Sequence, residues 1–133
     1  MNDQVLPALQ KAEITHTQLV KYAGASGDFN PIHTVVPVAE QAGLGGVIAH
    51  GMLIMGFAGE AIAQWFPRQD LRRFKVRFSG MSRPGESIVV TGKVKKETEG
   101  ANGEPRLFCE VFAANTEGEV KLKGEFEVAR GER

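Results

Sequence analysis

The sequence is poor in several features that would have settled its class at once. Cys109 is the single cysteine in 133 residues, which excludes an intramolecular disulfide and, with it, a disulfide-stapled secreted scaffold. It alternates with Leu107 and Val111 in a strand-like stretch and reads as a core residue of a protein in a reducing cytoplasm. Neither charge is in excess: 16 basic side chains balance 16 acidic ones, so no overall field draws the chain to nucleic acid or to an anionic membrane. The longest apolar segment, Gly51 to Phe66, is broken by Glu60 and Gln64 and falls short of the roughly 20 residues that cross a bilayer. The amino terminus, MNDQVLPALQKAE, lacks the basic start and apolar stretch of a secretory signal, and no export is expected. Internal repeats, low-complexity tracts, a glycine-rich phosphate loop, a dinucleotide fingerprint and a GxSxG elbow are all missing. His16, His33 and His50 show no ligand spacing such as HxxxH, so no metal site is expected.

What remains is an ordinary globular composition, 42% hydrophobic and 24% charged, in a chain long enough to bury roughly two-thirds of its unfolded surface. A single domain over residues 1–133 is expected. One local charge feature stands out, the basic run Arg68 to Arg77 (RQDLRRFKVR). It would serve either as a phosphate contact or as solvated strand positions.

The front half reads as helix and loop. Ile14 to Ser26 has helical spacing, with Thr15 as N-cap and Gln18 completing a capping-box pattern. Gly27 and Pro31 end it, and Gly27 to Thr34 (GDFNPIHT) is expected as a loop because Pro31 lacks a donor and biases Asn30 away from helical angles. A short helix is expected over Val36 to Ala42, stopped by Gly43. A longer one follows, from Gly51 to just before Pro67. In the latter, apolar residues cover nearly every direction, which calls for burial on most sides, while Gly56, Glu60 and Gln64 form one narrow strip able to meet polar groups, water or a close neighbour. After Pro67 the period changes to two. Leu71 to Ser79, Ser87 to Glu97, Pro105 to Thr116 and Glu119 to Ala129 read as strands separated by turn signals, implying an antiparallel meander. One apolar helix followed by such a sheet suggests an α+β hot-dog arrangement, a curved antiparallel sheet wrapped around a long central helix, with another α+β packing as the alternative.

Chemistry concentrates in Tyr22 to His33 (YAGASGDFNPIH). The segment places a carboxylate, an amide and an imidazole within six positions, on a proline-bearing loop that can turn Asp28 and His33 toward one point. A carboxylate and a neutral imidazole around one water supply the two proton transfers that hydration of a polarised double bond needs. Asn30 would orient that water or hold the loop through its backbone. The same residues also admit a plain structural reading, with Asp28 and Asn30-Pro31 as turn residues and His33 as a satisfied core histidine. The second informative stretch is Ile48 to Met52 (IAHGM), where the long helix begins. Helix starts present unpaired N–H groups and partial positive charge, and Gly51 has no side chain to block an oxygen gaining negative charge there.

Together YAGASGDFNPIH and IAHGML, with the looser FKVRFSGMSRPGE, resemble the MaoC-like dehydratases, a family that includes R-specific enoyl-CoA hydratases and bacterial 3-hydroxyacyl-carrier-protein dehydratase subunits. The resemblance covers nearly the whole chain, with the last two strands matching in pattern alone. It implies that Asp28 and His33 are catalytic, that Gly51 is the oxyanion donor, and that Asn30 supports substrate binding. It also implies syn addition of water to a trans-2-enoyl thioester to give the (R)-3-hydroxyacyl product, on CoA or acyl-carrier protein, with no cofactor. Family members pair as dimers, so a homodimer is expected, with a heterodimer or an assembly of dimers open. Met52, Met55, Phe57, Trp65 and Phe66 are candidate walls of an acyl tunnel, or simply core. Two rival functions are a hot-dog acyl thioesterase, against which the GDFNPIH loop argues, and a non-catalytic acyl-binding partner subunit. The latter is expected to have lost Asp28 or His33.

Overall fold

A computed structural model describes residues 4–131; Met1–Asp3 of the amino-terminal segment and Glu132–Arg133 lie outside the described residues. The chain runs β1 (Gln4–Gln10), α1 (His16–Ser26), a single 3-10 turn (Pro31–His33), α2 (Val36–Gln41), α3 (Gly51–Trp65), a second 3-10 turn (Arg68–Asp70), β2 (Leu71–Phe78), β3 (Ile88–Glu99), β4 (Pro105–Asn115) and β5 (Val120–Ala129). The five strands form one sheet in the order β1-β3-β4-β5-β2, every neighbouring pair antiparallel. Among the described residues no helix is long and apolar enough to cross a membrane.

The sheet curves over α3, and the core lies between them. Leu53, Ile54, Phe57, Ala58, Ala61 and Ile62 of the helix are buried against Val90 and Val94 of β3, Cys109 and Val111 of β4, and Phe126 and Val128 of β5. This is the expected hot-dog arrangement. Gly56, Glu60 and Gln64 stay exposed, and Glu60 meets a polar group, the Lys11 ammonium at 2.9 Å. At the far end of α3, Trp65 lies against Phe126 and fits because β3 has Gly92 beneath it: a Cβ there would come within 2.6 Å of the indole. Trp65 and Phe66 therefore pack on Phe126 as core, and Phe57 is 5% exposed. Of the expected tunnel walls, Met52 alone is exposed, and Met55 is half-buried.

Two features differ from the sequence expectation. The first is β1, which the pattern did not announce: one of its residues, Leu6, is buried, and Pro7 interrupts it. Proline is tolerated because β1 is an edge strand, and its register on β3 breaks between Leu6 and Leu9. The break turns the Pro7 carbonyl out to accept the Trp65 indole N–H at 2.7 Å.

The second is the meander. β3, β4 and β5 follow one another as expected, but β2 pairs with β5 at the other edge and not with β3. The segment 79–87 crosses between them because its turn is bonded outward. Gly85 N–H donates to Ile14 O at 2.8 Å, Ile14 N–H to Glu86 O at 2.9 Å, and Ala49 N–H to Ser82 O at 2.7 Å. Under this crossing lies Lys121, whose side chain is 2% exposed. Its ammonium donates to Met81 O at 2.6 Å, pairs with Glu86 at 2.9 Å and bonds Glu119. Asn115 donates to Glu86 Oε1 at 2.8 Å and the Arg83 N–H to Glu86 Oε2 at 2.6 Å, completing the cluster.

Candidate active site

α1 delivers the site loop. The Thr15 hydroxyl accepts the Gln18 N–H at 3.1 Å, as the capping pattern required, and Leu19 and Ala23 anchor the helix in the core. Gly27 closes it in the left-handed region, φ 76°, which costs glycine little. Successive side-chain turns then set the loop: Asp28 N–H donates to Ser26 Oγ at 3.1 Å, Asn30 N–H to Asp28 Oδ1 at 3.2 Å, and Ile32 N–H to Asn30 Oδ1 at 3.2 Å. Asn30 thus fixes the backbone that carries His33. Among the described residues Asp28 Oδ2 receives no hydrogen bond, and Asp28 itself is exposed.

The opposite wall is the segment entering α3. Ile48 N–H donates to Ile32 O at 3.2 Å, and the Ile48 carbonyl lies 2.8 Å from His33 Nδ1. A carbonyl can only accept, so Nδ1 carries a proton, and in the neutral ring Nε2 keeps its lone pair. His33 is 8% exposed and His50 1%. Their rings stack with centroids 3.8 Å apart and planes inclined by 22°, and Tyr22 meets His50 edge-on at 4.8 Å. His50 Nε2 donates to the Asp28 carbonyl at 3.1 Å, while its Nδ1 is buried without a partner.

Asp28, His33 and His50 therefore bring donor-type atoms within 4.8 Å of one another. The ligand spacing in the sequence did not foresee this convergence; His16 stands elsewhere, its ring bonded to Thr34 O at 2.7 Å. A shared metal ion fits the cluster poorly. Metal-bound imidazole holds the ion in the ring plane, and two nearly parallel rings have planes that meet far beyond the ~2.1 Å of a zinc–nitrogen bond.

Gly51 is the first residue of α3, directly after His50, and its N–H is among those a helix leaves without an internal acceptor. A Cβ on Gly51 would lie 3.3–3.5 Å from the Phe78 ring. Phe29, Met52, Phe78 and Met81, all large, apolar and exposed, belong to the segments that flank the site. Of the basic run, Arg72 is taken up by Glu104 at 3.1 Å and Arg73 by Glu125 at 3.3 Å. Lys75 and Arg77 are exposed and form no ion pair among the described residues. An open cavity of about 740 Å³ lies elsewhere, along the exposed strip of α3 and the start of β2 from Gly56 and Glu60 to Arg68 and Leu71.

A sheet wrapped round a helix, with a loop that brings a carboxylate and an imidazole together near that helix's amino end, defines a hot-dog protein with a candidate site at the helix start. The model of the MaoC like domain matches residues 2–106, and the chain belongs to that family. It is 35% identical over 111 residues to the fatty acid synthase beta subunit pkiC of Emericella nidulans, covering 80% of this chain and 6% of that protein. It is 32% identical over 89 residues to the probable enoyl-CoA hydratase 2 of Dictyostelium discoideum, covering 65% of this chain and 30% of that protein. The chain thus spans a small part of the length of these relatives. Two solved structures share its fold with a TM-score of 0.81 each: the (R)-hydratase from A. caviae involved in PHA biosynthesis (20% identity, 97% and 96% of the two chains) and the ChsH1–ChsH2 complex from Mycobacterium tuberculosis (18% identity, 97% and 97%).

From the sequence, Tyr22 has no assigned part and His50 is a candidate metal ligand alone. Neither place in the ring stack has a local signal, because the contacts span residues far apart in the chain.

Proposed function

We propose that this chain is a hydratase/dehydratase of acyl thioesters that interconverts trans-2-enoyl and (R)-3-hydroxyacyl groups by syn addition or elimination of water. The observation that carries the reading is the convergence of the Asp28 carboxylate with His33, whose Nδ1–H is committed to Ile48 O and whose Nε2 is thereby a base. In the hydration direction, Asp28 and His33 hold one water. Its oxygen forms the bond to C3 of the enoyl group as the C2–C3 π pair moves into the thioester enolate. One water proton passes to the carboxylate–imidazole pair, and the pair returns a proton to C2 on the same face. The Gly51 N–H at the start of α3 faces the enolate oxygen, where a fixed donor acts on charge present only after attack. Asn30 supports the arrangement through the loop backbone.

The exposed Phe29, Met52, Phe78 and Met81 are suited to an acyl chain, and the uncommitted Lys75 and Arg77 to the phosphates of CoA or an acyl-carrier protein. A homodimer through the β2 edge would cover an open strand and the groove beside Leu71. The single buried thiol accords with a cytoplasmic setting.

Purified protein mixed with crotonyl-CoA, and with longer trans-2-enoyl-CoA esters, tests the reading. The expected outcome is loss of the conjugated absorbance without release of free thiol. Thiol release would instead mark a thioesterase, and unchanged absorbance at every chain length would rule the reading out.

A further inference from the structure

We infer that His50 is a positioning residue: it clamps the Asp28 loop onto His33 through its bond to the Asp28 carbonyl and its stack on the His33 ring. The role in turnover rests on the acid–base reading above; the clamp itself does not.

Residues 27–30 are all exposed, and their other hydrogen bonds are local, to Ala23, Ser26, Asp28, Ile32 and His33. Among the described residues, the bond from His50 Nε2 to Asp28 O at 3.1 Å is the one that ties this stretch to a distant segment. Without it the carboxylate would swing with its loop while His33 stayed fixed by Ile48. The same ring sets the other partner, since its face packs on His33 at 3.8 Å, and Tyr22 meets it in an edge contact at 4.8 Å.

The position also forgoes a local advantage. His50 is the N-cap of α3 and makes no side-chain cap bond, where a serine, threonine or aspartate would contribute about 1 kcal/mol. Its Nδ1 is buried and unpartnered.

His50→Phe keeps the stacking surface and removes the donor; His50→Gln restores a donor at the Nε2 position. We expect H50F to melt near the wild-type temperature and to exchange the Asp28 and Asn30 amide hydrogens faster. Its kcat should fall roughly 10- to 100-fold with KM for the enoyl thioester changed by no more than about twofold, as misplacement of a catalytic group predicts. H50Q should recover most of both. Should H50F prove unstable, H50Q set against H50N, whose shorter amide falls short of the carbonyl, decides the same point. Folded H50F with wild-type kcat and wild-type amide protection overturns the inference, as does H50Q no better than H50F. An inactive wild-type protein defeats the hydratase reading alone, and the exchange measurement then still decides for or against the clamp.

Discussion

Two polar clusters sit close to the core of this protein, and they are built in opposite ways. Around Lys121 the hydrogen-bonding capacity is spent: the ammonium meets Glu86, Glu119 and the Met81 carbonyl, and Glu86 is further held by Asn115 and the Arg83 N–H. Around His33 it is held in reserve. Asp28 keeps one carboxylate oxygen open, His33 keeps Nε2, and His50 keeps a buried Nδ1. A saturated cluster has nothing left to offer a ligand and serves to pin the chain, here the crossing of residues 79–87 from the β2 edge to β3 on the far side of the sheet. A cluster with lone pairs in reserve is less favourable for folding, and its value lies in what it can bind.

The sharpest way to test that contrast is to remove charge from the reserved cluster. Asp28→Asn should lower kcat for enoyl-thioester hydration by roughly 10²- to 10⁴-fold, the range of a lost acid–base group, and leave the melting temperature close to wild type. Steady-state kinetics beside a thermal melt checks both halves.

Breaking the saturated cluster should do the reverse. Lys121→Ala strands Glu86 beneath the crossing and should destabilise the fold by about 2–3 kcal/mol, toward the low end for a broken buried pair because Glu119 is largely solvated, while the folded fraction turns over normally. The pH dependence follows from both partners. Burial alone would raise the Glu86 carboxyl, but hydrogen bonds from Asn115, Lys121 and the Arg83 N–H outweigh it and hold it below its ordinary 4.5. Burial alone would lower the Lys121 ammonium, but bonds to Glu119 and Glu86 hold it above 10.5. A carboxyl depressed by folding contributes stability that is complete above its unfolded value and is lost as acid protonates it. A raised ammonium contributes stability that is complete below its unfolded value and is lost in alkali. The pair therefore stabilises fully between 4.5 and 10.5. Glu86→Gln should lower the melting temperature at neutral pH and flatten its decline on the acid side.

A smaller effect should come from the helix start. Gly51→Ala keeps the N–H but sets a methyl group 3.3–3.5 Å from the Phe78 ring, and a shift of a few tenths of an ångström there should cost about tenfold in kcat with little change in stability.

Much of this was legible in the residues. Thr15 and Gln18 announced the start of α1, Gly27 its end, and the even spread of apolar residues over Gly51–Trp65 announced a buried helix. The GDFNPIH loop revealed two of the converging groups because its chemistry and its turns are local. The matched family model ends at residue 106, in keeping with a likeness that in the last two strands is one of pattern alone. What stayed hidden depends on distant contacts. β1 has no alternation and contains Pro7, so its identity comes from β3 and not from itself. The place of β2 beside β5 is decided by where the Pro84–Gly85 turn finds acceptors, at Ile14, and turn chemistry alone does not report that. His50 joins the site across 22 positions of chain, and its sequence neighbours carry no trace of the ring it covers.

Cys109 has a practical consequence for anyone working with this protein. Fully enclosed in β4, its sulfhydryl has a pKa pushed up to about 12 by burial. The native protein should therefore stay silent toward thiol-reactive dyes, so any colour they develop in an assay with an acyl-CoA ester reports coenzyme A set free. The rate at which an alkylating reagent eventually reaches that sulfur becomes a clock for opening of the sheet.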